Sequence, residues 1–324
     1  MSKIEKICPF CQNEYCGADI SIPGIFRGVT YDDSSDHFAQ YPTVPDVLYH
    51  YTTLDSLKKI LDASSTVLRA THYSQMNDWK EIEIGYEILY DKLQAEKPFE
   101  NEKVIFDLLN EIKNKMKHCY LISFSKNADT LSQWRAYTST ASGGVCIGFY
   151  SKSLQTDRET FYLSPCSYTK CINSSSLIDC GSIIDIAKYR VSNEGQKNIE
   201  IQSKKDEMSI QLLLAYGGKL TTINCLDDLE AFVTTVKHHG FYEEQEWRLI
   251  AVRPNIKKYP EKLSDKNKRF IEFPFKPVSA ISKIIISPHG DKNKIRNVIE
   301  CYKNKGILSE DCEVIDSQIP YRGE

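Results

Sequence analysis

The sequence lacks any apolar run long enough to cross a membrane. A transmembrane helix needs roughly 18 to 20 consecutive apolar residues, and no stretch of the 324 residues approaches that length. The first residues, MSKIEKICPFCQNEYCG, also lack the apolar middle of a secretory signal peptide. The sequence therefore predicts a cytoplasmic protein with no membrane partner.

An excess of charge of one sign is also missing. The 41 lysines and arginines nearly balance the 44 aspartates and glutamates, which gives a net charge of −3. This balance argues against broad electrostatic capture of nucleic acid, although it leaves room for a local basic groove. Several motifs of known chemistry are absent as well: G-x-G-x-x-G after a strand, a Walker loop, G-x-S-x-G and H-E-x-x-H.

The hydrophobic pattern predicts an α+β fold. VLYHYT, CYLISFS, GGVCIGF and EWRLIAV are typical of strands, and LDSLKKILDA has the apolar spacing of a helix with a threonine cap. At the C-terminal end, AISKIIISP, DKNKIRNVIECYKNKG and EVIDSQI predict one parallel strand–helix–strand unit. Because helices and strands do not alternate regularly, we expect a mixed central sheet flanked by helices. Residues 44–324 form this body, and residues 1–43 are predicted to be a small Cys-rich appendage.

Eleven cysteines in a cytoplasmic protein indicate thiols or metal ligands rather than disulfides. Cys8 and Cys11 have the two-residue gap of a zinc knuckle, and Cys16 is a third candidate ligand. We therefore predict a possible structural zinc in the appendage; free thiols or a redox pair are the rival interpretations. A looser group could supply further ligands: Cys166, Cys171 and Cys180.

Polar side chains at the ends of predicted strands are the candidates for chemistry. His50 lies between two tyrosines where a strand meets a helix, and it is either a ligand-binding imidazole or a satisfied core residue. Ser123 and Ser125 are two apart on a strand and share one face. Trp134 and Tyr137 share a helix face, where they pack on the sheet or, for Tyr137, line a cleft.

An acidic pair begins the strand EWRLIAV. If the strand already includes Glu244, then Glu244 and Glu246 project from one face and form a ligand or catalytic pair. The alternative is a weak surface ion pair between Glu246 and Arg248. With additional carboxylates such as Asp78 and Asp129, the same pair would suit a Mg²⁺-dependent hydrolase.

Six blocks resemble, in order, a bacterial family known as a domain of unknown function: LYHYTTLDSLKKIL, MND, SFSKNADTLSQWRAY, GGVCIGF, YEEQEWRL and KPVSAISKIIISPHG. More distantly, LYHYT and its helix resemble the opening of ADP-ribosyltransferases, including DNA-targeting toxins of toxin–antitoxin pairs. This resemblance implies an ADP-ribosyltransferase-like core, with helical insertions because the gaps between motifs are longer than in compact transferases.

The distant resemblance also implies roles for individual residues. His50, with Tyr51 beside it, corresponds to the first-strand position that holds a ribose hydroxyl of NAD. Tyr137 corresponds to the ring that stacks on nicotinamide, and Glu246 to the catalytic glutamate. The remaining members of the implied NAD-binding set are Ser123, Ser125 and Glu244.

Two functions are therefore expected from the sequence. The first is an NAD-dependent ADP-ribosyltransferase or NAD glycohydrolase, which acts as a bacterial toxin or an anti-phage defence effector. The second is a non-catalytic module that senses a nucleotide or nucleic acid, with the cysteine knuckle docking a partner. The enzyme requires that the imidazole, the phenol and the carboxylate face a common hollow.

Overall fold

In this computed structural model the described residues are 44–62, 66–76, 81–96, 109–110, 112–114, 116–138, 142–157, 160–168 and 233–321. The predicted appendage, residues 1–43, lies outside them, as do residues 194–216, for which the sequence predicts a mostly polar helix. None of the helices within the described ranges has the length and apolar character needed to cross a bilayer.

The described strands, in chain order, are β1 (Val47–Thr53), β2 (Val67–His72), β3 (Cys119–Ser125), β4 (Gly144–Tyr150), β5 (Tyr162–Pro165), β6 (Ser167–Tyr168), β7 (Val236–Lys237), β8 (Glu246–Val252), β9 (Lys262–Leu263), β10 (Arg269–Pro274), β11 (Ile281–Ile286) and β12 (Glu313–Asp316). The helices are α1 (Leu54–Ile60), α2 (Glu81–Glu96), α3 (Leu131–Tyr137), α4 (Pro277–Ala280) and α5 (Lys292–Asn304). Short 3₁₀ helices cover Tyr73–Gln75, Ser151–Leu154 and His239–Glu244. Residues 109, 110, 112–114 and 116 are also helical.

One mixed sheet of ten strands organises the molecule. Its main path runs β12-β11-β4-β1-β3-β2-β10-β9, and β8 pairs with β3 on one edge and with β5 on the other. Most pairs are antiparallel, whereas β11 and β12 are parallel and are joined by α5. The predictions of an α+β fold, a mixed sheet and one parallel C-terminal unit are therefore confirmed.

The sheet opens between β1 and β3. β1 pairs with β4 along its full length, from Val47 opposite Tyr150 to Thr53 opposite Gly144. It pairs with β3 only at Tyr49, opposite Ser125. β3 instead follows β8 throughout. Backbone groups that face such an opening need partners other than a neighbouring strand.

The two faces of the sheet carry separate apolar clusters. On one face, α1 buries Leu54, Leu57 and Ile60 in the main core, and Thr53 begins the helix by accepting a hydrogen bond from Ser56 N at 3.2 Å. On the other face, α3 packs through Trp134 against a smaller cluster that contains Tyr51. The placement of α3 over this second face positions one wall of the candidate site.

Candidate functional site

A pocket of about 350 Å³, measured with its open mouth, lies where β1 and β3 part. Residues from β1, β3, α3 and the start of β8 line it: Tyr49, His50, Tyr51, Ser123, Phe124, Ser125, Gln133, Tyr137, Glu244 and Glu246. Seven of these residues are those for which the sequence predicted a role in binding or catalysis. Side chains separated by almost 200 positions in the sequence therefore share one cavity.

The imidazole of His50 bridges the opening in the sheet. Its Nδ1 lies 2.9 Å from the carbonyl oxygen of Ser123, where β1 and β3 no longer pair. Because a carbonyl oxygen only accepts, Nδ1 carries the hydrogen, and Nε2 of the neutral ring is left as an acceptor. Burial lowers the pKa of His50 below its ordinary value, more than the Ser123 hydrogen bond raises it. The ring is thus neutral at pH 7.

The two β3 serines differ in what their hydroxyls do. Ser125 donates from Oγ to the carbonyl oxygen of Glu244 at 2.7 Å and accepts from Asn127 N at 3.0 Å. This hydroxyl therefore fixes the backbone around the pocket. Ser123 is half-buried in the pocket wall, and its hydroxyl makes no hydrogen bond within the described part of the chain. Of the two, Ser123 has the hydroxyl available to a ligand.

Tyr51 has a structural role in the pocket, because its hydroxyl and its ring are both engaged by neighbouring residues. Its hydroxyl donates to the carbonyl oxygen of Asn127 at 3.1 Å and accepts from Thr130 N at 3.0 Å. Its ring packs edge-on against Trp134, with centroids 4.8 Å apart. Burial raises the pKa of the Tyr51 phenol well above its ordinary value. Tyr51 thereby anchors the loop that leads into α3, and half-buried Tyr49 adds a second phenol to the lining.

Helix α3 presents Gln133 and Tyr137 to the pocket, and Trp134 to the core. Trp134 is fully buried and donates from Nε1 to Asp129 Oδ1 at 2.6 Å, so the structure assigns it to packing. Gln133 was not identified from the sequence, although it is four residues before Tyr137 and shares its helix face. Gln133 is only 6% exposed, and its amide nitrogen has no hydrogen-bond partner among the described residues. An unpaired buried donor costs about 1–3 kcal/mol.

Glu246 is buried and held by two cations. Arg248 donates to it from Nε at 2.9 Å and from Nη2 at 3.0 Å, and Lys237 donates from Nζ to Oε2 at 2.7 Å. Burial alone would raise the pKa of the Glu246 carboxyl, but Arg248 and Lys237 hold the pKa well below its usual range. The alternative of a weak surface ion pair is wrong, because Arg248 is 0% exposed.

The strand does not extend to Glu244, so strand alternation is not what places Glu244 beside Glu246. The strand begins only at Glu246, Glu244 ends a 3₁₀ helix, and Gln245 between them is left-handed, with φ 39° and ψ 54°. Lys237 brings the two acids together instead, because its Nζ also lies 2.5 Å from Glu244 Oε2. The two carboxylates and the two cations make a cluster that sums to zero net charge.

Lys237 was not identified as a site residue from the sequence, in which CLDDLEAFVTTVKHH predicts a helix that ends at His238 and His239 beside this lysine. The structure has Lys237 in β7, which pairs in parallel with β6, and His238 caps the 3₁₀ helix by accepting from Gly240 N. No local pattern marks the lysine, since its partners are seven and nine residues further along the chain.

The metal predictions receive no structural test from the described residues. Cys8, Cys11 and Cys16 lie outside them, as do Cys171, Cys180 and Asp78. Asp129 does not line the pocket; it accepts from Trp134, from Ser317 Oγ at 2.7 Å and from Gln318 N at 2.8 Å. Within the part of the chain that the structure describes, no group of three or more His, Cys, Asp or Glu side chains is arranged to hold a metal ion.

The described residues form an α+β protein with a polar pocket between two separating strands. Comparison with known protein families gives one match. Residues 133–249 match the family described as "Protein of unknown function (DUF2971)". The predicted resemblance to a family of unknown function is thereby confirmed over a segment that holds β4, most of α3 and the first part of β8. Searches of curated proteins and of solved structures returned no significant match.

Proposed function

We propose that the protein cleaves NAD, as an ADP-ribosyltransferase or an NAD glycohydrolase with an ADP-ribosyltransferase-like core. The observation that supports this proposal is the shared pocket of His50, Tyr137 and Glu246, which come from β1, α3 and β8. An imidazole acceptor and a phenol ring can position the ribosyl–nicotinamide bond, and a fixed anion can stabilise the positive charge that develops when the bond breaks.

The reaction breaks the bond between ribose C1′ and the pyridinium nitrogen of NAD. Nicotinamide leaves as a neutral molecule with the bonding electron pair, and positive charge develops on the ribose. Water, or a nucleophile on an acceptor macromolecule, then bonds to C1′ and releases one proton. Catalysis here consists of positioning the ribose and stabilising the developing cation.

The hydrogen bonds that each pocket side chain already makes decide what it can offer to NAD. Nε2 of His50 accepts a hydrogen bond from a ribose hydroxyl, because Nδ1 is committed to Ser123. Glu246 stays ionised, and its Oε1 accepts one bond from Arg248 and keeps a lone pair for a second ribose hydroxyl. Its lowered pKa makes it a fixed anion rather than a proton donor. Tyr137 provides the ring against which nicotinamide lies.

The groups that line the pocket match one end of the dinucleotide: a phenol ring for nicotinamide, and an imidazole and a carboxylate for the ribose hydroxyls. We therefore assign the pocket to the nicotinamide–ribose end and place the adenylate end outside it. Such an enzyme would act in the bacterial cytoplasm as a toxin or an anti-phage defence effector, with any zinc confined to the N-terminal cysteines, Cys8, Cys11 and Cys16.

A second candidate function is favoured by the charge cluster. Arg248 and Lys237 compensate the charge of Glu246, which weakens its ability to stabilise a cation. The same pocket would then bind a nucleotide without cleaving it, as a sensing module. This candidate predicts binding of NAD without release of nicotinamide.

The test is to incubate the full chain with NAD and to quantify nicotinamide and labelled macromolecules by mass spectrometry. We expect nicotinamide release by the wild type and a loss of about 100-fold or more in Tyr137→Ala, which removes the stacking ring. Tyr150→Ala is the matched control, because Tyr150 is 47% exposed and outside the pocket. Thermal stabilisation by NAD without nicotinamide would select the sensing module, and no response at all would reject both functions.

A further inference from the structure

The unpaired amide of Gln133 is the feature of the pocket that the proposed function leaves unexplained. The side chain is 94% buried, lines the pocket and has an Nε2 that meets no acceptor in the described residues. Buried amide groups are almost always paired, so an unpaired one at a cavity indicates a partner supplied by a ligand. An amide nitrogen can only donate, and the missing partner is therefore an acceptor such as a carbonyl oxygen.

The position of Gln133 relative to Tyr137 restricts the ligand further. Four residues apart on α3, the two side chains lie on one helix face, about one turn apart. Trp134, which lies between them in the sequence, is fully buried and donates a hydrogen bond to Asp129, and these contacts fix the orientation of the helix. An aromatic ring that stacks on Tyr137 would thus present its substituents to the Gln133 amide.

We infer that Gln133 is a specificity-determining residue that recognises the carboxamide of a nicotinamide ring stacked on Tyr137. This inference rests on the proposed function. Two hydrogen bonds form between the two amides: Gln133 Nε2 donates to the ligand carbonyl oxygen, and Gln133 Oε1 accepts from the ligand amide nitrogen. A ring carboxylate retains the first bond, loses the second and places its charge against Oε1.

The pocket therefore distinguishes NAD from its deamidated counterpart, nicotinic acid adenine dinucleotide. The test measures the affinity of the full chain for both dinucleotides by isothermal titration calorimetry. We expect the wild type to bind NAD at least about 10-fold more tightly than the acid. Gln133→Met preserves length and removes both polar atoms, and we expect it to reduce this preference to about 2-fold or less.

Gln155→Met is the control, because Gln155 lies outside the pocket and donates to the Ser151 carbonyl oxygen. Circular dichroism and a thermal melt establish that each variant is folded. If wild type and Gln133→Met bind NAD with the same preference over the acid, the role of Gln133 is wrong while the proposed function stands. If the wild type binds neither dinucleotide, the proposed function fails and the recognition of nicotinamide fails with it.

Discussion

At the scale of single residues, the site depends on groups whose hydrogen bonds fix their chemical state. His50 is a directed acceptor because Nδ1 is bound to a carbonyl oxygen. Glu246 is a permanent anion because two cations donate to it. The residue type alone determines neither property, since an exposed histidine titrates near neutral pH and exchanges its two ring tautomers freely.

The lowered pKa of His50 predicts a dependence of stability on pH. In the unfolded chain its pKa returns to about 6.5, so unfolding below that pH takes up a proton. Burial also lowers the pKa of His72, which acts in the same direction. We expect the free energy of unfolding to be constant between about pH 7 and pH 8, below the range where buried cysteine and tyrosine contribute, and to fall as the pH drops below about 6.5. Urea titrations at several pH values measure this.

In a His50→Gln variant, the free energy of unfolding should decrease less between about pH 6.5 and pH 5 than it does in the wild type, because glutamine does not titrate. The depressed pKa of Glu246 does not interfere, since it affects stability only near and below the ordinary glutamate pKa of about 4.3. Identical pH dependence in wild type and His50→Gln would mean that the imidazole is not held neutral in the folded protein.

Removing the charge of Glu246 should destabilise the fold. Glu246→Gln leaves the buried Arg248 and Lys237 without their shared anion, and such a loss costs about 3–5 kcal/mol. The free energy of unfolding from urea titration at pH 7.5 measures the effect. Glu310→Gln is the control, because Glu310 is exposed and should change stability by less than about 0.5 kcal/mol. Equal stability of both variants would contradict a buried ion network.

At the scale of elements, helices set the distances between the groups in the pocket. Seven-residue α3 carries the pocket face through Gln133 and Tyr137 and its anchor through Trp134. A second helix, α2, packs against the segment that leads into β7, and its Gly85 lies directly against the backbone of Val233. Because Lys237 follows four residues after Val233, the packing of α2 also locates the lysine that joins the two acids.

Gly85→Ala should therefore destabilise the protein, although alanine favours a helix by about 1 kcal/mol over glycine. A Cβ on Gly85 would lie 2.7 Å from both the Cα and the carbonyl oxygen of Val233. Backbone atoms cannot yield as a side chain can, and we expect a net loss of about 1–3 kcal/mol. A urea titration beside the control Glu87→Ala, at an exposed position of α2, measures it. A more stable Gly85→Ala would contradict this packing of α2.

At the scale of the whole molecule, the site needs strands from outside residues 133–249, the segment that matches the family. Residues 133–249 contain β4, most of α3 and the first part of β8, whereas His50 and Ser123 lie on β1 and β3. In the sheet, β4 pairs with β1 and β11, and β8 pairs with β3 and β5. Of these four neighbours, only β5 lies within the segment.

A fragment of residues 133–249 should therefore not fold cooperatively by itself. It would expose the edges of β4 and β8 and the apolar faces that β1, β3 and β11 cover. Hydrogen exchange is the measurement, with the full chain as the reference, and we expect backbone amides of β8 to be protected only in the full chain. Equal protection in the fragment would show that the segment is an independent folding unit.

Much of the fold could be predicted from the sequence, because it depends on local patterns. Apolar runs identified the strands around His50, Ser123 and Glu246, and the C-terminal pattern identified the parallel pair β11 and β12. Seven of the polar side chains selected from the sequence line one pocket, whereas Gln133, which also lines it, was not among them. Their roles in NAD chemistry stay predictions, as does zinc at the N-terminal cysteines.

What the sequence by itself determined is the α+β class, the principal strands β1, β3, β4, β8, β11 and β12, and the resemblance of its central segment to a family, since these follow from local patterns of residues. Only the tertiary structure decided that Lys237 joins Glu244 to Glu246, that Gln245 is left-handed and that Gln133 faces the cavity unpaired. The reason is physical: the state of a buried polar group depends on what packing places around it. Those partners come from segments that approach one another only when the sheet assembles.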